Sequence, residues 1–418
     1  MSIVPAERTR EVDLALRARA ARVVPGGMHG HLDAAFLPPE YPQFFQRGDG
    51  CRLWDVDGNE YVDLMCSWGP NLLGYRHPEI ERAAAAQAAM GDVLNGPTPL
   101  MVELAETLVD QVPHADWAMF CKNGTDATTL GVVVARSATG RRKVLIARGS
   151  YHGIASWSTR PDAPGTTPED HANTDYFDYN DVGSVESAVE LAGENDLAAI
   201  VVTPIRHDIH RDLEPPTQMF AEGVRAICDR TGAALVLDDI RCGLRLDTRG
   251  SWEPYGVRPD LSAWSKAIAN GDPIAVLLGA EPWREGANRV FATGSFWMAA
   301  APMAAALATL EILRESDGIE TMRRAGERLQ NGLREQARAH GFEVTVSGPP
   351  QLPFLSFAHD ANEERATIWT GECAKNGVYL HPYHNWFISV AHDDASIDRA
   401  LEGTDEAFRA LRNRDGAD

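Results

Sequence analysis

Residues 233–271 read AALVLDDIRCGLRLDTRGSWEPYGVRPDLSAWSKAIANG. A short apolar run, Ala233 to Leu237, ends in two acids, Asp238 and Asp239. A run of that length closing on carboxylates predicts a buried parallel strand that delivers acids at its C-terminal end. A Gly-, Arg- and Pro-rich connection leads to a second short strand-like run and a single lysine, Lys266, between Ser265 and Ala267. Open α/β sheets place their ligand sites at the C-terminal edge of the strands. A lysine among small residues there suits Schiff-base chemistry. Taken singly, an Asp after a strand is more often a cap or turn residue, and a lysine more often a solvated surface group. The pair gains meaning only from the rest of the chain.

On both sides of this stretch strands and helices alternate. Trp117–Lys122, Lys143–Ala147, Ala198–Val202 and Ile274–Gly279 read as strands, Ala127–Arg136 and Met219–Asp229 as helices. This pattern predicts an α/β fold with a mainly parallel sheet covered on both faces. Upstream, residues 9–22 form an amphipathic pattern stopped by VPGG at 24–27, and Met28 to Asp49 is irregular and rich in histidine, proline and aromatics. Asp57-Gly58 marks a hairpin, and helices are expected over Glu79–Met90 and near Leu100–Val112. After Ala299 the pattern changes. Helices are expected at roughly 299–315 and 318–340, then short strands at Val344–Val346, Leu355–Ala358, Val378–His381 and Phe387–Ala391. A helix near 362–375 and a last one from Ser396 or Ile397 complete the chain, with Asn413 to Asp418 frayed. The expected division is an N-terminal arm with part of a small domain (1–75), a large domain (76–300) and a C-terminal small α+β domain (301–418).

The length of 418 residues allows one large core and a second. A formal net charge of −21 argues against non-specific binding to nucleic acid or anionic membranes. The six cysteines are scattered, with no CxxC and no zinc spacing, so they read as reduced thiols of a cytoplasmic protein, and no metal site is expected. The N-terminal segment has no apolar signal-like core, and no stretch approaches 18 uninterrupted apolar residues.

Asn123-Gly124-Thr125 lies between a strand and a helix, where backbone N–H groups and a close-approach glycine can seat a phosphate. Tyr151-His152-Gly153 also follows a strand, and its aromatic could stack on a flat ring. Phosphate seat, stacking ring, carboxylate and lysine are four parts that pyridoxal phosphate (PLP) requires: its aldehyde condenses with an amine, and a carboxylate keeps the pyridine nitrogen protonated.

With those residues in place, the chain resembles the class III, fold-type I PLP-dependent aminotransferases, nearest the glutamate-1-semialdehyde 2,1-aminomutase branch. The likeness runs from about Val24 to Ala391. It rests on PGG (25–27), WDVDGNEYVDL with SWGP (54–70), G-x-x-HPEI (74–80), NGTDA (123–127), YHG (151–153), DDI with GLR (238–245), PDL with SK (259–266), GS and TLEIL (294–313), and the late GVYL and AH. The resemblance implies a seven-stranded large domain, a small domain from both chain ends, and a homodimer with shared active sites. It assigns Lys266 as the cofactor lysine and proton shuttle and Asp238 as the pyridinium partner. Asn123, Gly124 and Thr125 become the phosphate loop, Tyr151 the stacking aromatic, and Ile240 the residue on the opposite ring face. Ser295 would reach the phosphate from the neighbouring subunit, and Asp239 shortens the family's usual Glu.

The departures bear on substrate. The arginine that the aminomutase branch carries after PGG, expected to bind a substrate carboxylate, is replaced by Asp33, with His29 and His31 close by. Thr203-Pro204 stands for Glu-Pro, and His381 to Trp386 replaces an acidic stretch. Losing a bidentate carboxylate partner is not neutral, so glutamate semialdehyde is not the expected substrate. Trp68, His29, His31, Thr203 and His384 are the substrate candidates. Arg241 could meet the cofactor's phenolic oxygen or a substrate carboxylate, or simply pair with a loop acid. The leading expectation is an aminotransferase of specialised metabolism that moves an amino group from an amino-acid donor to a ketone or aldehyde. The alternatives are an intramolecular aminomutase and a racemase or decarboxylase on the same fold.

Overall fold

The computed structural model describes residues 8–415. In chain order, α1 (Glu11–Ala20) precedes β1 (Phe45–Asp49), β2 (Arg52–Asp55) and β3 (Glu60–Asp63). Then follow α2 (Pro78–Met90), α3 (Leu100–Gln111), β4 (Trp117–Cys121), α4 (Gly124–Thr139), β5 (Lys143–Ala147), β6 (Thr174–Phe177), α5 (Val182–Ala192), β7 (Leu197–Val202) and α6 (Gln218–Thr231). Next come β8 (Ala234–Asp238), β9 (Leu261–Trp264), β10 (Ala275–Gly279), the short α7 (Arg284–Asn288) and α8 (Ala300–Glu315). The remainder is α9 (Gly318–His340), β11 (Val344–Ser347), β12 (Phe354–Phe357), α10 (Glu364–Lys375), β13 (Val378–Tyr379) and α11 (Asp394–Asp415).

The chain divides into two compact units. The smaller takes the chain up to His77, the excursion Ile209–Leu213 and everything from Glu320; the larger takes Pro78–Asp208 and Glu214–Ile319. The boundary therefore falls at 319/320, not 300/301. The physical reason is α8, whose buried face of alanines with Met303, Leu310 and Leu313 packs on α2 and α3 of the larger unit.

The larger unit is built on a seven-stranded sheet of order β4-β10-β9-β8-β7-β5-β6. β10 runs antiparallel to both neighbours, and the other adjacent pairs are parallel. Every residue of β7, β8, β9 and β10 is buried, as both-face coverage demands. The period of two is visible in the core. Leu145, Ile200, Val202, Leu235 and Leu237 pack with α5 and α6, while Val144, Ile146, Ala199, Val201 and Val236 pack with Leu130 and Val134 of α4. The sequence reading missed β6 and α5.

In the smaller unit, β1, β2, β3 and β13 form one sheet and β11 pairs with β12. The hairpin at Asp57-Gly58 joins antiparallel β2 and β3, with Gly58 at φ +86°. Phe387–Ala391 is not a strand. Its amides alternate between partners, Phe387 N–H to Leu64 O at 2.7 Å, Ile388 N–H to Gln351 O at 3.0 Å and Val390 N–H to Leu72 O at 2.8 Å, so no single ladder forms. The last helix starts at Asp394, where Asp393 accepts from the Ser396 amide at 2.8 Å. It continues through Asp415, and residues 416–418 of the expected frayed end lie outside the described residues. No helix among the described residues is long and apolar enough to cross a membrane.

Candidate active site

The C-terminal ends of the parallel strands converge on a cavity of about 510 Å³ within the larger unit. Its wall includes Asn123, Gly124 and Thr125 after β4, Tyr151 and His152 after β5, and His207 after β7. Asp238, Ile240 and Arg241 at the end of β8 and Ser265 and Lys266 after β9 also line it. This is the sheet edge at which α/β folds bind ligands.

Lys266 follows β9 at φ +45°, a left-handed conformation that a lysine rarely adopts. Ser265 anchors the turn by donating its hydroxyl to Ile274 O at 3.1 Å. Burial, then the nearby Arg241 guanidinium, pushes the Lys266 amine down to about 7, against the opposing pull of Asp238. A large fraction of it is therefore an unprotonated nucleophile near neutral pH.

Asp238 is buried at the end of β8, and its Oδ2 lies 2.7 Å from His152 Nδ1. His152 is itself buried and stacks on Trp157. Its Nε2 lies 3.0 Å from Ser150 Oγ, whose hydroxyl donates to Ala147 O at 2.7 Å. The Ile240 amide donates to Asp238 Oδ1 at 3.3 Å. The carboxylate is thus oriented from two sides. Asp239, the next residue, points elsewhere. It accepts from the Ser251 amide at 2.9 Å and hydroxyl at 2.5 Å, and burial raises its carboxyl to about 7.

The expected phosphate seat, Asn123-Gly124-Thr125, is the N-terminus of α4. Asn123 caps it, accepting from the Asp126 amide at 3.0 Å, so it acts as helix cap and cavity wall together. Gly124 is required by space: a Cβ there would sit 2.8 Å from Ile240 Cδ1. Thr125 accepts from the Ile154 amide at 3.2 Å, and Thr128 donates to His152 O at 2.7 Å, fastening this helix to the Tyr151 loop. Gly153 holds φ +110° against Thr125. Tyr151 remains largely exposed along the cavity wall.

Arg241 is buried, with Nη1 3.5 Å from His207 O, and desolvation lowers its guanidinium to about 10, leaving it charged. His207 is held well below the usual imidazole range by burial, then by Arg241, and its Nδ1 meets no hydrogen-bond partner among the described residues. Neither this histidine nor the His152–Asp238 pair was assigned from sequence. The YHG stretch carried a signal for His152; His207 had none.

Other expected site residues lie elsewhere. Thr203 is buried, its carbonyl accepting from Tyr179 Oη at 3.2 Å, and it does not line the cavity. The turn into the loop after β7 places His207 in the wall instead. Ser295 is exposed and outside the wall. Trp68, His31 and His384 belong to the smaller unit, where they share one ring cluster. His29 is exposed and joins no ring contact among the described residues. Asp33 caps a short turn, accepting from the Ala35 amide at 2.9 Å.

A model of the family described as aminotransferase class-III matches residues 37–403. The chain is a class-III aminotransferase. This aminotransferase is 48% identical over 406 residues to an aminopentol aminotransferase of Sphingopyxis macrogoltabida, covering 97% of this chain and 95% of that one. It is 31% identical over 429 residues to a glutamate-1-semialdehyde 2,1-aminomutase of Brevibacillus brevis, covering 96% and 99%. A solved structure of the FumI protein of Sphingopyxis sp. MTA144, in a PLP form, superposes with a TM-score of 0.95 at 48% identity, covering 97% of both chains. The aminotransferase uses pyridoxal 5'-phosphate to move an amino group from an amino-acid donor to a ketone or aldehyde acceptor.

The residues present fit that cofactor: a glycine-bearing helix N-terminus, the Tyr151 ring, the apolar Ile240 side chain, an oriented carboxylate and a lysine held near neutrality line one cavity. PLP, when bound, supplies the electron sink for the carbon that carries the amine. The α4 N-terminal amides favour the phosphate charge. Asp238, fixed by His152, would hold a proton at the pyridine nitrogen. Lys266 Nζ would then be the base for the proton on the substrate carbon.

Proposed function

We propose that the physiological amine partner of this aminotransferase is a hydroxylated, carboxylate-free amine, exchanged with its ketone against an amino acid and its keto acid. The carrying observation is the 48% identity, across nearly the whole length, to an enzyme named for an aminopentol, an amine bearing five hydroxyls. The smaller unit supports the reading: Asp33 stands where the aminomutase branch has its carboxylate-binding arginine, and it serves as a turn cap. Arg241, charged in the cavity wall, is the group we assign to the amino-acid or keto-acid carboxylate. The test is a panel of amines scored by loss of the cofactor's absorption band, with the keto product identified. Hydroxylated amines that leave the band unchanged would sink the reading.

The likeness to aminomutases favours one second reading, intramolecular amine transfer. A mutase turns over one substrate with no net donor, whereas release of a keto product from donor alone marks intermolecular transfer.

We further infer that two copies pair. Phe291, Phe296, Met90 and Leu94 are exposed apolar side chains on the larger unit. The segment 90–94 is joined to the 296–301 segment by Asp92, which accepts from the Ala300 amide at 3.0 Å and the Ala301 amide at 2.8 Å. So large an exposed apolar group suits burial against a second subunit, and Ser295, next to that segment, would then serve the partner's phosphate. Six reduced cysteines support a cytoplasmic location.

A further inference from the structure

We propose that Ser150 is a positioning residue of the cofactor site: it holds the His152 imidazole so that both ring nitrogens donate, and Asp238 is thereby met by a charged ring instead of a neutral one.

The Ser150 hydroxyl has one proton to give. Its Oγ lies 2.7 Å from the Ala147 carbonyl, an oxygen that can only accept, so the proton points there. The Ser150 amide reaches the same carbonyl at 3.2 Å, closing a tight turn at the end of β5 that fixes the position of Oγ. What Oγ still offers is a lone pair, and His152 Nε2 is 3.0 Å from it. Nε2 is therefore the donor of that contact and carries a proton. On the other side of the ring, Nδ1 is 2.7 Å from Asp238 Oδ2. An ionised carboxylate only accepts, so Nδ1 carries a proton as well. A neutral imidazole holds one proton on its two nitrogens, and a ring that donates from both is the imidazolium.

The packing leaves the ring no other pose. The His152 side chain is fully buried and lies nearly parallel to the Trp157 indole, at 14° and 6.1 Å between centroids. The indole is tied in turn to Thr129 Oγ1 at 3.2 Å. The backbone is held too: the His152 carbonyl accepts from Thr128 Oγ1 at 2.7 Å, and Gly153 follows at φ +110°. The other titratable groups lining the cavity are Asp126, Tyr151, His207, Arg241 and Lys266. Burial, then Arg241, keeps His207 neutral, with His152 and Lys266 also disfavouring a charge there. Asp238 is the carboxylate in contact with the ring, and a charge-assisted contact at 2.7 Å offsets the repulsion from Arg241 and Lys266.

The consequence falls on the cofactor. A carboxylate facing the pyridine nitrogen favours a proton there, and one already paired with an imidazolium favours it less. Ser150 does not line the cavity, so it acts on the cofactor only through His152 and Asp238.

The test is heteronuclear NMR of the holoenzyme carrying isotope-labelled histidine, with the His152 signals assigned by their loss in His152→Gln. The wild-type ring is expected to show a proton on both nitrogens. Ser150→Ala removes the acceptor at Nε2, and the ring should fall back to a single proton on Nδ1. The pH midpoint of the cofactor's absorption change should then move up by about one unit, the effect of one regained negative charge at roughly 10 Å and an effective dielectric constant of about 20. Ser150→Thr keeps the hydroxyl and should restore both readouts, which a loss of packing alone would not explain. A wild-type His152 with a single ring proton overturns the proposal, and that measurement needs no variant to fold. Identical His152 signals and midpoints in wild type and Ser150→Ala overturn it as well.

Discussion

Lys266 and Asp238 are the two side chains around which the cavity is arranged, and each depends on a neighbour. The Lys266 amine, lowered to about 7, is fully unprotonated well below the ordinary lysine range. In the cofactor-free protein, the rate of PLP capture should therefore rise about tenfold per pH unit up to pH 7 and then level off. A rise continuing to the ordinary lysine value, seen by stopped-flow absorbance, would show the depression to be absent. The unfolded chain holds this proton to higher pH than the folded chain, so the apoprotein gains stability as pH climbs from about 7 through the ordinary lysine range. Lys266→Ala should abolish turnover altogether. His152 acts through Asp238. His152→Phe removes a hydrogen bond to a carboxylate, and equilibrium dialysis should show PLP held about 10- to 100-fold more weakly. Restoration of most of the affinity by His152→Asn would favour orientation over bulk. Lysine and aspartate were legible because strand ends announce themselves through apolar runs. His207 was not, because a histidine in a loop acquires its place only when the sheet brings that loop to the cavity.

At the scale of the element, the informative pieces are those that break a pattern. The left-handed turn at Cys66–Gly69 stores about 1–3 kcal/mol per non-glycine residue, and the buried Asp63 carboxylate anchors its start by accepting from the Met65 and Cys66 amides. Asp63→Ala should lower stability by about 2–4 kcal/mol, read by urea denaturation, and should alter the fluorescence contributed by Trp68. Gly69→Ala combines an unfavourable φ with a Cβ placed 2.8 Å from the Phe387 ring, and should be comparably damaging. Unaltered denaturation curves for both would show the turn to be relaxed. The SWGP motif marked this stretch, yet no propensity forecasts three left-handed residues in succession. β6 and α5 escaped for an ordinary reason: TDYF is a four-residue edge strand, and VGSVESAVELA interrupts its apolar face with glycine and serines. Asp181, which caps α5 by accepting from the Ser184 amide at 3.0 Å, was the available signal. Phe387–Ala391 failed as a strand because an apolar run can be buried without a ladder.

For the molecule as a whole, the alternation of strands and helices was enough to place the large sheet and its ligand edge, because that pattern reflects burial on both faces. The end of the large unit was not legible, since the alanine-rich α8 reads equally well as belonging to either unit until its packing is seen. Pairing of two copies belongs to this scale. Phe291→Glu with Phe296→Glu places charges in the exposed apolar group, and light scattering should report a shift toward half the mass, with PLP affinity falling alongside it. A double variant that keeps both mass and affinity would place the subunit contact elsewhere.

The six thiols offer a different use. All are buried and unpaired with one another, three in the smaller unit (Cys51, Cys66 and Cys373) and three in the larger (Cys121, Cys228 and Cys242). A buried thiol reacts with an alkylating reagent only when its surroundings open. The chain therefore carries two internal clocks, one per unit. Mass-resolved labelling over time would read how often each unit breathes, and whether cofactor quiets only the larger or slows both together.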